Sequence, residues 1–332
     1  MRVPASPTRR LPAAAVAILA YAALALAPIE LAAADNTFDR TLTVSGPVRL
    51  ELSNGSGSVE IKGSGDGKVH IAGKVTGGWS LFSSSERGVQ DVVANPPIEQ
   101  HDSVIRVGKT TSSWLKGVSI DYNIEVPHDT EIDAGVASGG ITIDNLRGPV
   151  KASSASGYVH VYGVERDTQL NAASGTVDSS NIGGFLSVSS ASGDITVANI
   201  KGEVKVSAAS GSIRITKPGD RVSASTASGS IEVTGATNDL KVHAISGTIT
   251  VSGDPSANRL WEIHTVSGTV DIVVPTNASF LFTAEATSGD IRTNIPVVLE
   301  EQGKHSLRAH VGSSSGRIEI HTVSGGVNVR GA

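Results

Sequence analysis

Ala191-Ser192-Gly193-Asp194-Ile195-Thr196-Val197-Ala198-Asn199-Ile200-Lys201-Gly202-Glu203-Val204-Lys205-Val206-Ser207-Ala208 is one unit of a repeat. Its Ser-Gly step recurs at Gly139, Gly157, Gly175, Gly193, Gly211, Gly229 and Gly247, every 18 residues without a slip. The five central copies read Ala-Ser-Gly. A fixed, uninterrupted period is the signature of a repeat architecture.

The unit has a physical reading. Counted from each glycine, apolar residues recur at +2, +4, +7, +11 and +13: Ile195, Val197, Ile200, Val204 and Val206 in one copy, Ile231, Val233, Ala236, Leu240 and Val242 in another. Alternation within +2 to +4 and within +11 to +13 predicts two short strands, each with one inward face. Turn formers such as Gly183-Gly184, Gly202 and Pro218-Gly219 sit between them, and Ser-Gly supplies the other corner. Glycine is expected there if the corner needs positive φ or if successive coils approach closely.

One unit has too little apolar surface to fold alone. Stacked units bury a continuous Val/Ile/Ala spine, and each strand pairs in parallel with its equivalent. The expected fold is all-β, a parallel β-solenoid of about 18 residues per coil, right-handed by the crossover preference. At a strand spacing of roughly 4.8 Å, seven coils make a rod about 30 Å long. Two other arrangements compete. A left-handed hexapeptide helix also has 18-residue coils, but wants an aliphatic residue every six. An antiparallel meander would not need such strict phase at the corners.

Composition agrees with a narrow tube. Of 332 residues, 39% are hydrophobic but only 4% aromatic, so small aliphatics build the core. The absence of cysteine excludes disulfides, thiolate metal sites, a cysteine nucleophile and a lipidated N-terminal cysteine. Residues 1–34 read as an export signal: Arg2, Arg9 and Arg10, an apolar run from Leu11 to Ala27, then Ala32-Ala33-Ala34 as the cleavage site. An uncleaved anchor helix is the alternative. No later apolar run is long enough to span a bilayer, so no stable membrane anchor is expected after cleavage. The net charge is −5 with basic residues scattered, which gives no electrostatic footprint for nucleic acid.

Residues 35–135 read as a less regular, β-rich capping region, continuous with a repeat region at 136–332. Strands are predicted at 40–45, 48–53, 58–62, 68–75, 103–107 and 118–126. Asn54-Gly55 reads as a turn between two alternating runs. A short helix over 84–95 would put Val89, Val92 and Val93 on one face, and Pro96-Pro97 would stop it. After Gly247 the Ser-Gly step returns at Gly268, Gly289, Gly316 and Gly325. The extra residues are expected in loops at 253–259 and 296–305.

Tyr122-Asn123-Ile124-Glu125-Val126-Pro127 followed by Ala137-Ser138-Gly139-Gly140-Ile141-Thr142-Ile143 resembles a family of exported bacterial proteins, the "putative adhesins" of unknown function with β-strand repeats. So do Val270-Asp271-Ile272-Val273-Val274-Pro275 before Thr287-Ser288-Gly289-Asp290-Ile291, and His321-Thr322-Val323-Ser324-Gly325. The resemblance covers most of residues 40–330. It implies a fold and a non-catalytic role, and it brings no catalytic residues. Family members with a membrane anchor differ from this chain in that respect.

Motifs for chemistry are sparse. Gly312-Ser313-Ser314-Ser315-Gly316 matches G-x-S-x-G, but a strand rather than a helix is predicted to follow. Gly63-Ser64-Gly65-Asp66-Gly67-Lys68-Val69 is half of a calcium-binding nonapeptide, and one copy cannot complete an oxygen shell. His160 and His243 take outward phases. His264, His310 and His321 fall on separate strands; an approach of His310 and His321 across adjacent coils is allowed, but no third ligand is evident, and solvated surface is the default reading. No metal site or cofactor follows. A polysaccharide-processing enzyme of the parallel β-helix type is the catalytic alternative, but it needs clustered carboxylates. The outward +3 column, Thr142, His160, Asp178, Thr196, Arg214, Glu232 and Thr250, disperses its charges. That column is also too mixed for an ice-binding threonine array. The candidate contact residues are Tyr158, His160 and Tyr162, at outward phases +1, +3 and +5 of one strand, with Thr142, Asp144, Asp178 and Ser180 as a polar rim. Two tyrosines on one stripe suit a sugar ring or a protein partner. The expectation is a non-catalytic, adhesin-like binding or scaffold protein of the cell envelope, periplasmic ahead of extracellular, whose partner is an unidentified envelope protein or glycan.

Overall fold

Each 18-residue unit folds as two short strands, one for each of two facing parallel sheets. The structure is a computed structural model describing residues 36–77, 85–108, 118–313 and 315–332, with side chains of the one helix described from residue 88. The export segment expected at 1–34 lies outside the described residues. In chain order the first strands are β1 (Thr37–Thr43), β2 (Arg49–Ser56), β3 (Val59–Ser64) and β4 (Lys68–Gly77). Helix α1 (Ser85–Ala94), β5 (Ile98–His101), β6 (Val104–Val107) and β7 (Val118–Pro127) follow. The regular coils are β8 (Glu131–Ser138) with β9 (Ile141–Leu146), β10 (Val150–Ser156) with β11 (Val159–Val164), β12 (Thr168–Ser174) with β13 (Val177–Ile182), and β14 (Leu186–Ser192) with β15 (Ile195–Ile200). They continue as β16 (Val204–Ser210) with β17 (Ile213–Pro218), β18 (Val222–Ser228) with β19 (Ile231–Ala236), and β20 (Leu240–Ser246) with β21 (Ile249–Gly253). The chain ends with β22 (Leu260–Ser267), β23 (Val270–Val274), β24 (Phe280–Ser288), β25 (Ile291–Thr293), β26 (Val298–Gln302), β27 (Ser306–Val311), β28 (Gly316–Ser324) and β29 (Val327–Gly331).

Every central strand pairs in parallel with its equivalent 18 residues away, as in Val159↔Val177 and Val188↔Val206. The all-β parallel solenoid expected from the period is therefore the observed fold. The +2, +4, +7, +11 and +13 positions point inward, and Ile195, Val197, Ile200, Val204 and Val206 are all buried. The inward set also includes +15, filled by Ser154, Ala172, Ser190, Ala208, Thr226 and Ala244. These small residues leave no apolar mark in the sequence. A second unforeseen feature explains why +7 points in although it breaks the alternation. Position +6 lies in the left-handed region in the first six regular coils: Asn145, Gly163, Asn181, Asn199, Lys217 and Gly235. The residue is skipped in the strand register, so one extra residue restores the inward direction. Asn and Gly tolerate that conformation; Lys217, at φ 50°, is the strained member.

The Ser-Gly corner is the closest backbone approach between coils. Gly193 has φ +128°, and its N–H donates to the Ser210 carbonyl of the next coil at 3.2 Å. A Cβ placed on it would lie 2.0 Å from the Gly175 carbonyl oxygen. Both reasons for expecting glycine thus hold at once. The ladder starts at Gly57, continues at Gly139 and every 18 residues to Gly247, then passes to Gly268, Gly325 and Gly289 in that spatial order.

That order exposes the topology of the ends. The last coil, β28–β29, returns into the stack: β28 lies between β22 and β24, and β29 between β23 and β25. The first coil is tucked in likewise, with β2 between β6 and β8, and β3 between β7 and β9. Antiparallel strands terminate three of the four sheet ends, and β25, parallel to β29, terminates the fourth. β4 and β1 follow β7, β5 follows β6, and β27 and β26 follow β24. Helix α1 packs its buried Val89 and Val92, with half-buried Val93, against this N-terminal end, as the sequence predicts.

Four local expectations are corrected. Asn54-Gly55 is not a turn; both residues lie within β2, and the corner falls at Gly57. The buried Asn54 amide donates to the Ile120 carbonyl at 2.8 Å, which is why a turn former serves inside a strand. Residues 296–305 are not only a loop, because they include β26. Gly316 is not a corner but the first residue of β28. His310 and His321 do not meet: His310 pairs with Leu281, whereas His321 pairs with Glu285 on the other edge of β24.

Two outcomes follow from the ladder. Gly193→Ala combines a forbidden φ with a backbone clash, and should cost more than roughly 3 kcal/mol. Gly65→Ala, which meets nothing within 4 Å, should stay within about 0.5 kcal/mol in the same urea titration. Deleting residues 193–210 joins equivalent faces and should leave a cooperative thermal melt by circular dichroism. Deleting residues 193–201 puts non-equivalent strands in register and should abolish it. Equal damage from the two deletions would be incompatible with an 18-residue coil.

Candidate functional site

The outward face of β11 carries His160 and Tyr162, and Tyr158 immediately precedes the strand on the same side, because Val159 and Val161 are buried beneath them. The structure brings all three together. The Tyr158 and His160 rings stack with centroids 4.4 Å apart at 29°, and the His160 and Tyr162 centroids are 6.2 Å apart. Tyr158 is held from below. Its ring lies over Gly140 of the preceding coil, in the space that a Cβ would occupy. His160 Nε2 is 2.9 Å from Asp178 Oδ2 on the next coil. Burial and the Asp178 carboxylate raise the Tyr162 hydroxyl above its ordinary pKa. The anticipated rim is in register: Thr142 and Asp178 flank His160, and Asp144 and Ser180 flank Tyr162. What this face can do is stack flat rings and exchange hydrogen bonds at its edges.

A second cluster was not anticipated. His243, His264 and His321 occupy one outward column on β20, β22 and β28. The His264 and His321 rings are stacked at 5.0 Å and 12°, and His243 continues the column at 6.4 Å. They line a groove of about 450 Å³ with Glu285, Val266 and Val323. The separations of 21 and 57 residues hide the column until the position of the last coil is known.

The whole Asn36–Ala332 unit is covered almost completely by one domain description. The Toastrack DUF4097 family model matches residues 48–234 and 186–330. The chain belongs to this family. No curated protein matches the sequence. Solved structures of distant proteins do. A "putative cell adhesion protein" from Clostridium sporogenes is 13% identical, with 89% of this chain and 100% of that chain covered and a TM-score of 0.22. A "putative adhesin" from Parabacteroides merdae is 11% identical over 88% and 95%, with a TM-score of 0.28. A "putative lipid binding protein" from Parabacteroides distasonis is 13% identical over 89% and 96%, with a TM-score of 0.36. At these values none of them speaks for a function of this Toastrack chain.

The remaining motifs of this Toastrack domain have structural uses. Asp66, in the half nonapeptide, closes the turn between β3 and β4. Its carboxylate is 2.6 Å from His70 Nε2, and it accepts from the Ser64 hydroxyl at 2.9 Å and the Lys68 N–H at 3.2 Å. These bonds, led by His70, lower its pKa from 3.8 to about 2. Ser314, the centre of Gly312–Gly316, lies outside the described residues. No helix among the described residues is long and apolar enough to cross a membrane. In the +3 column Arg214 Nε pairs with Glu232 Oε2 at 2.9 Å, so neighbouring charges there answer one another.

The Asp66 turn has a pH signature. A carboxyl with a folded pKa below its unfolded value stabilises the fold above the unfolded value, and that contribution fades as pH falls through the folded pKa. An NMR titration should place the Asp66 midpoint near 2, and the small gain from this exposed group should disappear between about pH 4 and 2. A midpoint at the ordinary 3.8 would remove the His70, Ser64 and Lys68 bonds from the account.

Proposed function

We propose that the chain is an exported, non-catalytic solenoid of the cell envelope that works by presenting a binding surface, as an adhesin-like or scaffold protein. The observation that carries this reading is the Tyr158–His160–Tyr162 face, two aromatic rings and an imidazole held by packing on a rigid sheet. Tyrosine offers an apolar face and a hydroxyl at low conformational cost, which suits sugar rings and protein partners alike. Rigid support from Gly140 and Asp178 reduces the ordering cost of binding.

The family and the names of the distant structures are compatible with adhesion and supply no partner. The dispersed and mutually paired charges of the +3 column favour a binding role over a polysaccharide-processing one, which uses a facing pair of carboxylates. Residues 1–34 are assigned as the export signal, 35–135 as the cap and 136–332 as the repeat region, with the periplasm as the favoured location. The partner is an envelope glycan or protein; nucleic acid is not part of the proposal.

The test combines cell fractionation with binding on a glycan array and capture of envelope proteins. Replacing Tyr158 and Tyr162 together by Ser should leave the melting temperature within a few degrees of wild type. It should weaken capture by tenfold or more, the loss of about 1.4 kcal/mol of contact. Wild-type capture by the double variant would dismiss the face as the contact site, and recovery of the protein only from the cytoplasm would dismiss the export assignment.

A further inference from the structure

The outer face of the sheet that carries Tyr158 holds a groove at its N-terminal end. The groove encloses about 640 Å³, an ordinary volume for a small-molecule site. Strand pairing sets its lining in two rows. Lys74 on β4 stands opposite Asp121 on β7, with Ser58, just before β3, beside it. In the next row Ala72 stands opposite Asn123, and Asn123 opposite Glu60. The short side chain of Ala72 leaves the depression between its longer neighbours.

Both rows run on to the aromatic face. Glu60 pairs with Thr142, and Thr142 with His160. The other row passes from Ser58 to Gly140 and then to Tyr158, as the backbone bonds from Val59 to Gly140 and from Ile141 to Tyr158 require. The Tyr158 ring lies over Gly140, so it leans from its own coil toward the groove, and it stays 38% exposed. From β4 through β7, β3 and β9 to β11 the rows cross four strand spacings, roughly 19 Å.

The polar groups of the groove are available. Among the described residues the side chains of Glu60, Lys74 and Asn123 make no hydrogen bond or ion pair. A carboxylate, an ammonium and an amide are thus open to a ligand. Asp121 is aimed by Ser58, whose N–H and hydroxyl donate to Oδ1 at 2.7 and 2.8 Å and leave Oδ2 free.

We propose that the groove and Tyr158 form one binding site for a neutral oligosaccharide, with one pyranose ring on Tyr158 and the following rings in the groove. The proposal rests on the reading of the tyrosine face as a contact surface, and it names the ligand. A sugar hydroxyl both donates and accepts, so it can use carboxylate, amide and ammonium side by side. The C–H face of a sugar ring packs on the apolar face of tyrosine and on Ala72. Charge narrows the class. Asp39, Glu60 and Asp121 line the groove against the one ammonium of Lys74. A uronate or sulfate would enter beside three carboxylates, and a basic peptide would bring its charge against the unpaired Lys74. A neutral sugar meets neither penalty.

The full-length chain is titrated by calorimetry with neutral gluco-, galacto-, manno- and N-acetylglucosamine oligomers of one to four rings, with trigalacturonate and with trilysine. At least one neutral series should bind saturably and tighten tenfold or more from one ring to three. Trigalacturonate and trilysine should bind at least tenfold more weakly than the best neutral trimer. Ala72→Arg fills the groove and should return the trimer to the affinity of the single ring. Glu60→Gln should weaken the trimer by about tenfold, the size of losing a hydrogen bond to a charged group. Thermal melts establish that each variant is folded, and should Ala72→Arg fail to fold, Glu60→Gln decides. The proposal is overturned if no neutral oligomer binds saturably, if trigalacturonate or trilysine binds as tightly as the best neutral trimer, or if the folded groove variants bind the trimer like wild type. Capture of a protein through the tyrosines, with no neutral oligomer bound, overturns the glycan assignment and leaves the contact face standing.

Discussion

The contact on which everything else rests is between two backbones. At each corner a glycine N–H donates to a serine carbonyl of the next coil, at 3.0 Å from Gly57 and 3.1 Å from Gly325. No side chain fits between them. A hydrogen bond of this kind contributes about 1 kcal/mol by itself. Its larger effect is steric, because any residue with a Cβ would force the coils apart at the point where strand register is set. Register then propagates. If Gly stacks on Gly, residue +2 stacks on +2, and every inward Ile or Val meets its counterpart. A slip by one residue would turn the whole apolar set outward, so the corner and the core enforce each other.

The same constraint explains how the chain can leave sequence order without losing the fold. The ladder passes from Gly268 to Gly325 and only then to Gly289. A coil is accepted by the stack for its phase, not its place in the sequence. Tucking both end coils inward leaves longer segments outside, which form antiparallel strands at three of the four sheet ends; the fourth is the short parallel β25. Parallel edges left open would invite further pairing. The outermost strand beyond β27 is β26, whose five residues are all exposed, and it includes the glutamates Glu300 and Glu301 that discourage addition of another strand.

Legibility in the sequence follows the same division. Ile195 to Val206 declare their strands because hydrophobic alternation and local pairing carry the same message. The grouping of Tyr158, His160 and Tyr162 was also legible, since the three alternate with the buried Val159 and Val161. Asn54-Gly55 misled because its side-chain hydrogen bond to Ile120, made 66 residues away, outweighs its local turn preference. Position +6 was missed because Asn, Gly and Lys share no apolar signature; their common property is a backbone conformation. The Glu262–Gly268 heptapeptide does recur at Glu319–Gly325, and that repetition was the available signal. Its meaning still depended on topology, because two copies 57 residues apart become neighbours only when the last coil enters the stack.

A solenoid of this kind makes specificity by interruption. The repeat places equivalent outward side chains one strand spacing apart along each column, so a uniform column would present one chemistry over its length. Here the columns are not uniform. On the sheet that holds β11, aromatic groups interrupt Thr142 and Asp178 in neighbouring coils. On the opposite sheet, small polar outward residues such as Ser189 and Ser207 give way to His243, His264 and His321 toward the C-terminal end. The inward positions in these same coils remain aliphatic or small, so the cost of decorating the surface is not charged to the core. Outward residues are therefore free to differ from coil to coil while the scaffold stays constant.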